Sequence, residues 1–305
     1  MRNAFRDALM QIKKVEDKLY LIVGDIGYGV FEDYSKKFKD NYLNIGICEA
    51  NMIGFASGMS MNGFIPIAYT IVPFLIMRPF EQIRIDLALH NRKVILVGVG
   101  GGLSYGNLGP THHSFEDLTL MTALPNFSVF TPSQPSQSIE ALKQALECNG
   151  PSYIRLGKNG EPDLSKYLVS QRKNISFFCN DHSNSDILIL TYGAITYECI
   201  KATLGISKKI KICVASVLKI KPLPDKIIEL CLNSKNILIV EEGTDYHSPG
   251  TNIAARLMQL KYKGNLKIMG IKDKFTTDVG SREYLLKINM IDSKSIELKL
   301  LEMMK

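Results

Sequence analysis

Residues 44–54 read Asn-Ile-Gly-Ile-Cys-Glu-Ala-Asn-Met-Ile-Gly, and one carboxylate, Glu49, stands there among small, apolar and amide side chains. Apolar residues continue at helical spacing through Ile53, Ala56 and Met59, which predicts a helix with a buried face. A carboxylate at the start of a buried helix is costly unless something pairs with it. Glu49 is therefore either a helix-capping residue stabilised by the helix dipole or a functional group.

The composition is that of an ordinary globular protein. Hydrophobic residues make up 46% of the 305 residues and charged residues 22%, and this length allows two domains with their own cores. No apolar run reaches the roughly 18 residues of a membrane span, and the first residues lack the apolar region of a signal peptide. We therefore expect a cytoplasmic protein that binds no membrane.

Neither the cysteines nor the charge points to a metal or a nucleic acid. The six cysteines contain no C-x-x-C pair, which argues against a zinc site and against a disulfide framework. The net charge is +7, but the lysines are spread over predicted helix surfaces and do not cluster with aromatic residues on one face. We expect no metal site within this chain and no nucleic-acid partner.

Apolar strands alternate with amphipathic helices, which predicts parallel sheets covered by helices. In the first part the predicted strands are 19–23, 65–70, 94–99, 127–130 and 152–156, and the predicted helices are 2–14, one at Glu49, 74–89, 115–123 and 138–148. In the second part the predicted strands are 186–191, 212–217, 236–240 and 266–270, and the predicted helices are 194–204, 225–231, 252–260 and one near the C-terminus. The sequence therefore predicts an α/β protein with a first domain at 1–160, a linker at 161–184 and a smaller second domain at 185–305.

Five segments, taken in order, resemble the C-terminal half of transketolase. They are Gly24-Asp25, the run 46–54 around Glu49, Arg-Pro-Phe-Glu-Gln-Ile-Arg at 78–84, Gly-Pro-Thr-His at 109–112, and Leu118 with Leu-Pro-Asn at 124–126. The resemblance covers essentially the whole chain. It implies a thiamine-diphosphate-type pyrimidine-binding domain followed by the transketolase C-terminal domain, and a transferase of carbohydrate metabolism that moves a two-carbon ketol unit between sugars.

The resemblance gives Glu49 a role on the cofactor. In the family, a carboxylate hydrogen-bonded to N1′ of the aminopyrimidine drives that ring into the imino form, which takes the proton from C2 of the thiazolium. Glu49 holds that position here. The residues that correspond to the family's apolar slot for the pyrimidine are Ile71, Phe74 and Met77, although a core-facing helical stripe fits them nearly as well.

Four further residues carry roles by resemblance. Asp25 matches an aspartate near the thiazolium end of the cofactor, although an ordinary turn aspartate fits it equally well. His112 matches a catalytic-site histidine that contacts hydroxyls of the donor sugar. Arg2 and Lys158 fall where the family places arginines that bind the phosphate of the acceptor, and lysine is the poorer bidentate partner.

Three substrate-binding positions depart from the family pattern. Leu108 replaces an aspartate that binds an acceptor hydroxyl, Gly100 replaces a histidine, and Gly29 replaces a phosphate-binding serine. The cofactor-activating Glu49 is kept. We therefore expect ketol chemistry with an acceptor other than an ordinary pentose phosphate, such as a bulkier, nonphosphorylated or nucleotide-linked one.

The sequence lacks the motif that holds the diphosphate in thiamine enzymes. In the family a metal ion, bound by Gly-Asp-Gly and a later Asn, anchors the two phosphates; Gly24-Asp25-Ile26 with Asn51 only mimics this motif. The chain starts where a pyrimidine-binding domain should start. It thus resembles the C-terminal subunit of a split transketolase, whose N-terminal partner supplies the diphosphate-binding domain and most of the Mg²⁺ site, with a homodimer core in an α2β2 assembly.

Other classes remain open. The β subunit of a 2-oxo acid dehydrogenase has the same architecture and the same glutamate, but its glycine-rich loop ends in a Gln-His-Ser-Gln type of sequence. A deoxyxylulose phosphate synthase carries both halves in one longer chain. A regulatory subunit without catalysis is consistent with the changes at Leu108 and Gly100, and the retention of Glu49 and His112 argues against it.

Overall fold

Helices cover two open sheets built mainly from parallel strands, as the sequence predicts. The computed structural model of the protein describes residues 1–158, 160–180, 185–206 and 210–304. Strands such as Ile95–Val99 and Ser152–Leu156 are buried along their whole length, because helices pack on both faces of a parallel sheet. The two-domain α/β class is confirmed.

The first part of the chain supplies most of one sheet and its helices. Its strands are β1 (Leu19–Val23), β2 (Tyr42–Asn44), β3 (Ile65–Ile71), β4 (Ile95–Val99), β5 (Ser128–Phe130) and β6 (Ser152–Leu156). Its α-helices are α1 (Arg2–Lys13), α2 (Glu32–Lys37), α3 (Glu49–Met61), α4 (Val72–Ile76), α5 (Phe80–Gln82), α6 (Asp117–Ala123) and α7 (Pro135–Glu147), and Ile83–Leu89 is a π-helix.

The second part supplies the other sheet. The strands of this part are β7 (Leu168–Arg172), β8 (Ile175–Phe178), β9 (Ile187–Thr191), β10 (Ile212–Val217), β11 (Lys219–Lys221), β12 (Asn236–Thr244) and β13 (Asn265–Ile271). Of these, β11 alone belongs to the first sheet, where it pairs with β5. Its α-helices are α8 (Thr196–Leu204), α9 (Asp225–Leu232), α10 (Pro249–Gln259), α11 (Arg282–Ile288) and α12 (Ser293–Met303).

The strand order of the first sheet reverses beside β1, where a ligand site is expected. The order is β11-β5-β6-β4-β3-β1-β2, and every neighbouring pair is parallel except β11 with β5. The chain passes from β1 outward to β2 and then returns to β3 on the other side, so the order reverses there. Open α/β sheets bind ligands at the carboxyl ends of strands at such a point.

The segment predicted as a linker is partly a β-hairpin. Strands β7 and β8 lie within 161–184 and pair antiparallel at the edge of the second sheet, whose order is β13-β12-β9-β10-β8-β7. Asn174, with a φ of +65°, forms the turn between them, and asparagine tolerates this conformation better than most residues. Residues 181–184 lie outside the described residues, and the domain boundaries themselves stay a prediction.

The single helix predicted over 74–89 is broken. Helix α4 ends at Ile76, a turn follows over Met77–Pro79, and α5 then leads into the π-helix. Pro79 explains the break, since proline has no backbone N–H and its ring clashes with the preceding helical turn. The break leaves Met77 and Arg78 on a turn shortly after the carboxyl end of β3.

Apolar clusters fill both faces of the first sheet. Alternate residues of β1 face opposite sides, so Ile22 belongs to one cluster, and Leu21 belongs to the other. Helix α3 adds Met52 and Ile53 to the cluster of Ile22, and each such buried side chain stabilises the fold by about 1.5–3 kcal/mol. The same cluster continues into the second domain through residues such as Ile237, so the two domains share a core.

Candidate active site

Glu49 is a buried carboxylate at the start of α3. Its side chain is only 4% exposed, and it lies in the first helical turn, where the helix dipole favours a negative charge. Nη1 of Arg78 donates to both carboxylate oxygens at 3.0 Å. This ion pair offsets the cost of burying the charge.

Arg78 is the partner that the sequence did not identify. It lies on the turn before Pro79, 29 residues from Glu49 along the chain, and its side chain is 49% exposed. Its guanidinium carbon lies 4.2 Å from the centroid of the Phe74 ring, a cation–π contact. In this arrangement Arg78 occupies both oxygens of the buried Glu49 carboxylate, so another hydrogen-bonding partner reaches Glu49 only when Arg78 moves.

Three rings form a row that leads away from this ion pair. The rings of Phe74 and His112 have centroids 5.1 Å apart and meet edge to face. The rings of His112 and Tyr105 follow at 6.1 Å, and Nζ of Lys158 lies 4.7 Å from the centroid of Tyr105. We call Phe74, His112 and Tyr105 the aromatic row; it joins the buried carboxylate at one end to a cation at the other.

His112 is neutral at physiological pH. Partial burial and the nearby charge of Arg78 both lower the pKa of its ring. Its Nδ1 makes a hydrogen bond of 2.9 Å with Oγ1 of Thr111. A neutral imidazole has one donor and one acceptor nitrogen, so His112 is able to bond to hydroxyl groups of a ligand.

Backbone bonds and glycines hold the loop that carries His112. Gly102 and Ser114 exchange backbone hydrogen bonds of 3.0 and 3.1 Å, which closes the loop into a ring. Gly102 has a φ of +65°, and a Cβ there would lie 2.5 Å from the carboxyl carbon of Glu242. Only glycine fits this position without strain.

Glu242, from β12 of the second domain, anchors the same loop. Its Oε1 accepts from the backbone N–H of Leu103 at 2.8 Å, and Arg282 donates to both of its oxygens at 3.2 and 2.7 Å. Arg155 donates to the backbone carbonyls of Ser114 and Glu242 at 2.7 and 3.0 Å. The second domain therefore helps to position the aromatic row.

His113 points into the fold beside the row. It is buried, and burial is the main cause that lowers the pKa of its ring. A cavity of about 220 Å³ adjoins it. The cavity is lined by residues that include Met77, Pro110, Phe115, Phe275 and Thr276.

The structure brings some of the predicted cofactor residues together and separates others. Phe74 lies in the aromatic row, and Met77 lines the neighbouring cavity. Ile71 instead packs against the cluster on the opposite face of the sheet from α3. Ile71 is the last residue of β3, and the helix starts after it, so Ile71 is not on one helical face with Phe74; its place in the pyrimidine slot stays a prediction.

Asp25 lies in an exposed turn at the carboxyl end of β1. Its φ is +52°, and its carboxylate accepts from Nδ2 of Asn44 at 3.0 Å and from the hydroxyl of Tyr28 at 2.9 Å. These hydrogen bonds, that of Asn44 first, hold the pKa of Asp25 below its usual value. Within the described residues, the hydrogen bonds of its side chain are to Tyr28 in this turn and to Asn44 at the end of β2, and none is to the aromatic row.

The two predicted phosphate-binding residues converge on Tyr105. Lys158 lies over its ring, and the positive charge of Arg2 opposes the rise that burial causes in the pKa of Tyr105. Nε of Arg2 is buried and has no hydrogen-bond partner within the described residues. A buried guanidinium nitrogen without a partner suits an anionic ligand.

Glu49 and Phe74 are the groups here that could hold the aminopyrimidine end of a thiamine cofactor, because a buried carboxylate and an aromatic face suit that ring. Within the described residues, no group of three or more His, Cys, Asp and Glu side chains could hold a metal ion. Nor does any helix of the described ranges combine the length and apolar character needed to cross a bilayer.

Both halves of the chain match known protein families. Residues 1–161 match the transketolase pyrimidine-binding domain, and residues 180–296 match the transketolase C-terminal domain. One of the subunits of the apulose-4-phosphate transketolase of Actinobacillus succinogenes is 27% identical over 93% of this chain and 92% of its own length. The 1-deoxy-D-xylulose-5-phosphate synthase of Dechloromonas aromatica is 28% identical over 96% of this chain but only 47% of its own.

Solved structures show the same fold. A split-gene transketolase, described as an inactive beta4 tetramer, superposes with a TM-score of 0.84 at 26% identity, covering 99% of this chain and 96% of that one. The transketolase of Leishmania mexicana superposes with a TM-score of 0.80 at 19% identity, covering 99% of this chain and 45% of that one.

Proposed function

Because this chain belongs to the transketolase family, we propose that it is the C-terminal subunit of a split, thiamine-diphosphate-dependent transketolase that transfers a two-carbon ketol unit between sugars. The observation that carries the proposal is Glu49, a buried carboxylate beside the aromatic row. Thiamine diphosphate supplies the carbanion chemistry of ketol transfer when it is bound. The residues of this chain hold and activate it.

Glu49 is the proton-holding group in this proposal. With the cofactor bound, Glu49 would hold N1′ of the aminopyrimidine through a proton shared between the two groups, and this proton would favour the imino form of the ring. Arg78 now donates to both carboxylate oxygens, so it has to share or release one of them. Phe74 offers a ring face to the pyrimidine.

His112 is the proposed sugar-binding group. As a neutral imidazole next to Phe74, it donates to or accepts from a hydroxyl of the donor sugar without bringing a charge to the site. Arg2 and Lys158, at the far end of the row, bind the acceptor. Asp25 lies outside the row, and its proposed contact is to the thiazolium end of the cofactor and to a neighbouring subunit.

A second polypeptide completes the site in this proposal. Both the relative from Actinobacillus succinogenes and the superposed structure are named as parts of split or multi-subunit transketolases. This chain matches the pyrimidine-binding and C-terminal domains of the family, and in the proposal the partner's diphosphate-binding domain holds the phosphates and Mg²⁺. Helix α3 also exposes Gly54 and Phe55 on its outer face, which suits a contact in the homodimer core of an α2β2 assembly.

A second candidate is one half of a deoxyxylulose phosphate synthase type of enzyme. The observation that favours it is the 28% identity to the synthase of Dechloromonas aromatica over nearly the whole of this chain. Both reactions use the same cofactor residues, so they differ in the donor. Transfer of a two-carbon ketol unit from hydroxypyruvate to an aldehyde, with release of CO₂, supports the transketolase; condensation of pyruvate with an aldehyde, also with release of CO₂, supports the synthase.

The test is an activity assay with the partner present. The partner to co-express is a protein with a Gly-Asp-Gly thiamine domain, sought in a neighbouring reading frame. We expect ketol transfer by the mixture and a loss of at least about 100-fold for Glu49→Gln, the size of an acid–base contribution. Glu140→Gln, on the exposed face of α7, is the matched control and should retain activity; equal turnover by Glu49→Gln would overturn the role of Glu49.

A further inference from the structure

Tyr105 fills the space above Gly100. Gly100 has a φ of +82°, and a Cβ at that position would lie 2.0 Å from Cε2 of Tyr105. Carbon atoms do not approach this closely, so the Tyr105 ring and any side chain at position 100 exclude each other. The glycine is what allows the ring to lie against the loop.

The neighbours of Tyr105 place it in the middle of the site. His112 lies on one side at 6.1 Å between ring centroids, and Lys158 lies over the ring at 4.7 Å. Arg2 is close enough for its charge to affect the pKa of Tyr105. Tyr105 therefore bridges the proposed sugar-binding histidine and the two cations.

The packing of Tyr105 makes it a rigid recognition surface. Its side chain is only 7% exposed, so the ring is held in one orientation. Its hydroxyl is protonated at neutral pH, like that of any tyrosine, and is able to donate a hydrogen bond; burial raises its pKa further. The ring face also suits the C–H groups of a sugar.

We propose that Tyr105 is the specificity-determining residue for the acceptor: it contacts the carbon chain of an aldose between His112 and the cations Arg2 and Lys158. This inference rests on the proposed function. A site that bonds a substrate hydroxyl discriminates against an acceptor that lacks it, because the buried polar group would stay unpaired. Tyr105 thus selects acceptors longer than two carbons.

The first test compares acceptors in the complex of this chain with its partner. The panel contains aldoses of two to six carbons, free and phosphorylated, with hydroxypyruvate as donor. For Tyr105→Phe we expect kcat/KM for the best acceptor to fall about tenfold relative to glycolaldehyde, the two-carbon aldehyde. Tyr105→Ala should lower this relative kcat/KM further than Tyr105→Phe does. Gly100→Ala should have the same effect as Tyr105→Ala, because the added Cβ displaces the Tyr105 ring.

Tyr167 provides the matched control. Lys166 lies 4.8 Å from its ring centroid, the same kind of contact, but Tyr167 is next to the edge strand β7. Tyr167→Phe should leave unchanged the ratio of kcat/KM for the best acceptor to kcat/KM for glycolaldehyde. An unchanged ratio for both Tyr105 variants, or glycolaldehyde as the best acceptor of the wild type, would overturn the inference.

A second measurement does not depend on turnover. With ¹³C-labelled tyrosine in this chain only, the NMR signal of Tyr105, assigned through Tyr105→Phe, should shift when the best acceptor is added to the complex. The signal of Tyr167 should not shift, and an unmoved Tyr105 signal at saturating acceptor would refute the contact. If hydroxypyruvate is not consumed at all, the proposed function fails, which is distinct from a failure at Tyr105.

Discussion

Glu49 and Arg78 show what a sequence reveals at the level of single residues. Glu49 was identifiable because one carboxylate in an apolar run needs a partner. Arg78 was not, because its guanidinium reaches Glu49 across 29 residues of chain and only through the turn made by Pro79. The one available sequence signal was that Arg78 follows Phe74 by four residues, a spacing at which two side chains of a helical segment are able to meet.

Loss of the Arg78 ion pair should destabilise the fold. In Arg78→Met the buried Glu49 carboxylate loses its charged donor, so we expect the free energy of unfolding to fall by about 1–3 kcal/mol. Urea denaturation of the chain measures this change. Arg84→Met, at an exposed position on the π-helix, is the control, and equal stability of the two variants would show that the pair contributes nothing.

Glu241 predicts a pH dependence of stability. Burial raises the pKa of this carboxyl from 4.5 to about 7, although Tyr192, Ser248 and the backbone N–H of Gly250 donate to it. The folded state therefore binds more protons than the unfolded state between about pH 4.5 and 7. The stability that Glu241 contributes is present below this window and is lost as the pH rises through it.

The variant Glu241→Gln isolates that effect. Relative to the variant, the wild type should lose roughly 3 kcal/mol of unfolding free energy between pH 4 and pH 8. Denaturant titrations at the two pH values measure the difference. Parallel pH profiles for the two proteins would mean that Glu241 titrates alike in the folded and unfolded states.

At the level of elements, buried parallel strands were the easiest to predict. The strands 19–23, 152–156 and 212–217 agree with β1, β6 and β10 residue for residue, because they are short, mostly apolar runs bounded by turn residues. The β7–β8 hairpin was missed, since β7 is almost entirely exposed and lacks such a run. Strand β11 was missed because a three-residue strand that joins the other sheet leaves no periodic signal.

The loop that carries His112 should depend on glycine at position 102. In Gly102→Ala the added Cβ meets the Glu242 carboxyl group at 2.5 Å in a backbone conformation that only glycine adopts easily. Gly29→Ala is the matched control, because Gly29 also has a positive φ but has open space around it. We expect Gly102→Ala to lower the free energy of unfolding by about 2 kcal/mol more than Gly29→Ala does, as measured by thermal or urea unfolding. Equal losses for the two variants would show that the Glu242 side chain moves aside without cost.

At the level of the whole molecule, the two domains act as one support for the site. The loop ring at Gly102 and Ser114 belongs to the first domain, but Glu242 and Arg282 of the second domain fix it. No pattern in the sequence predicted this contact between domains, because Leu103 and Glu242 are about 140 positions apart. Glu242 and Arg282 are also residue types that usually lie on the surface. The resemblance to transketolase supplied the fold and Glu49, but the order of the aromatic row came only from the three-dimensional structure.

Dependence on a second polypeptide is the central claim at this scale. The measurement is a calorimetric titration of thiamine diphosphate with Mg²⁺ into this chain alone, into its partner alone and into their mixture. We expect a Kd of about 10 μM or below only for the mixture. Equally tight binding by this chain alone would contradict the claim that its site is completed by another subunit.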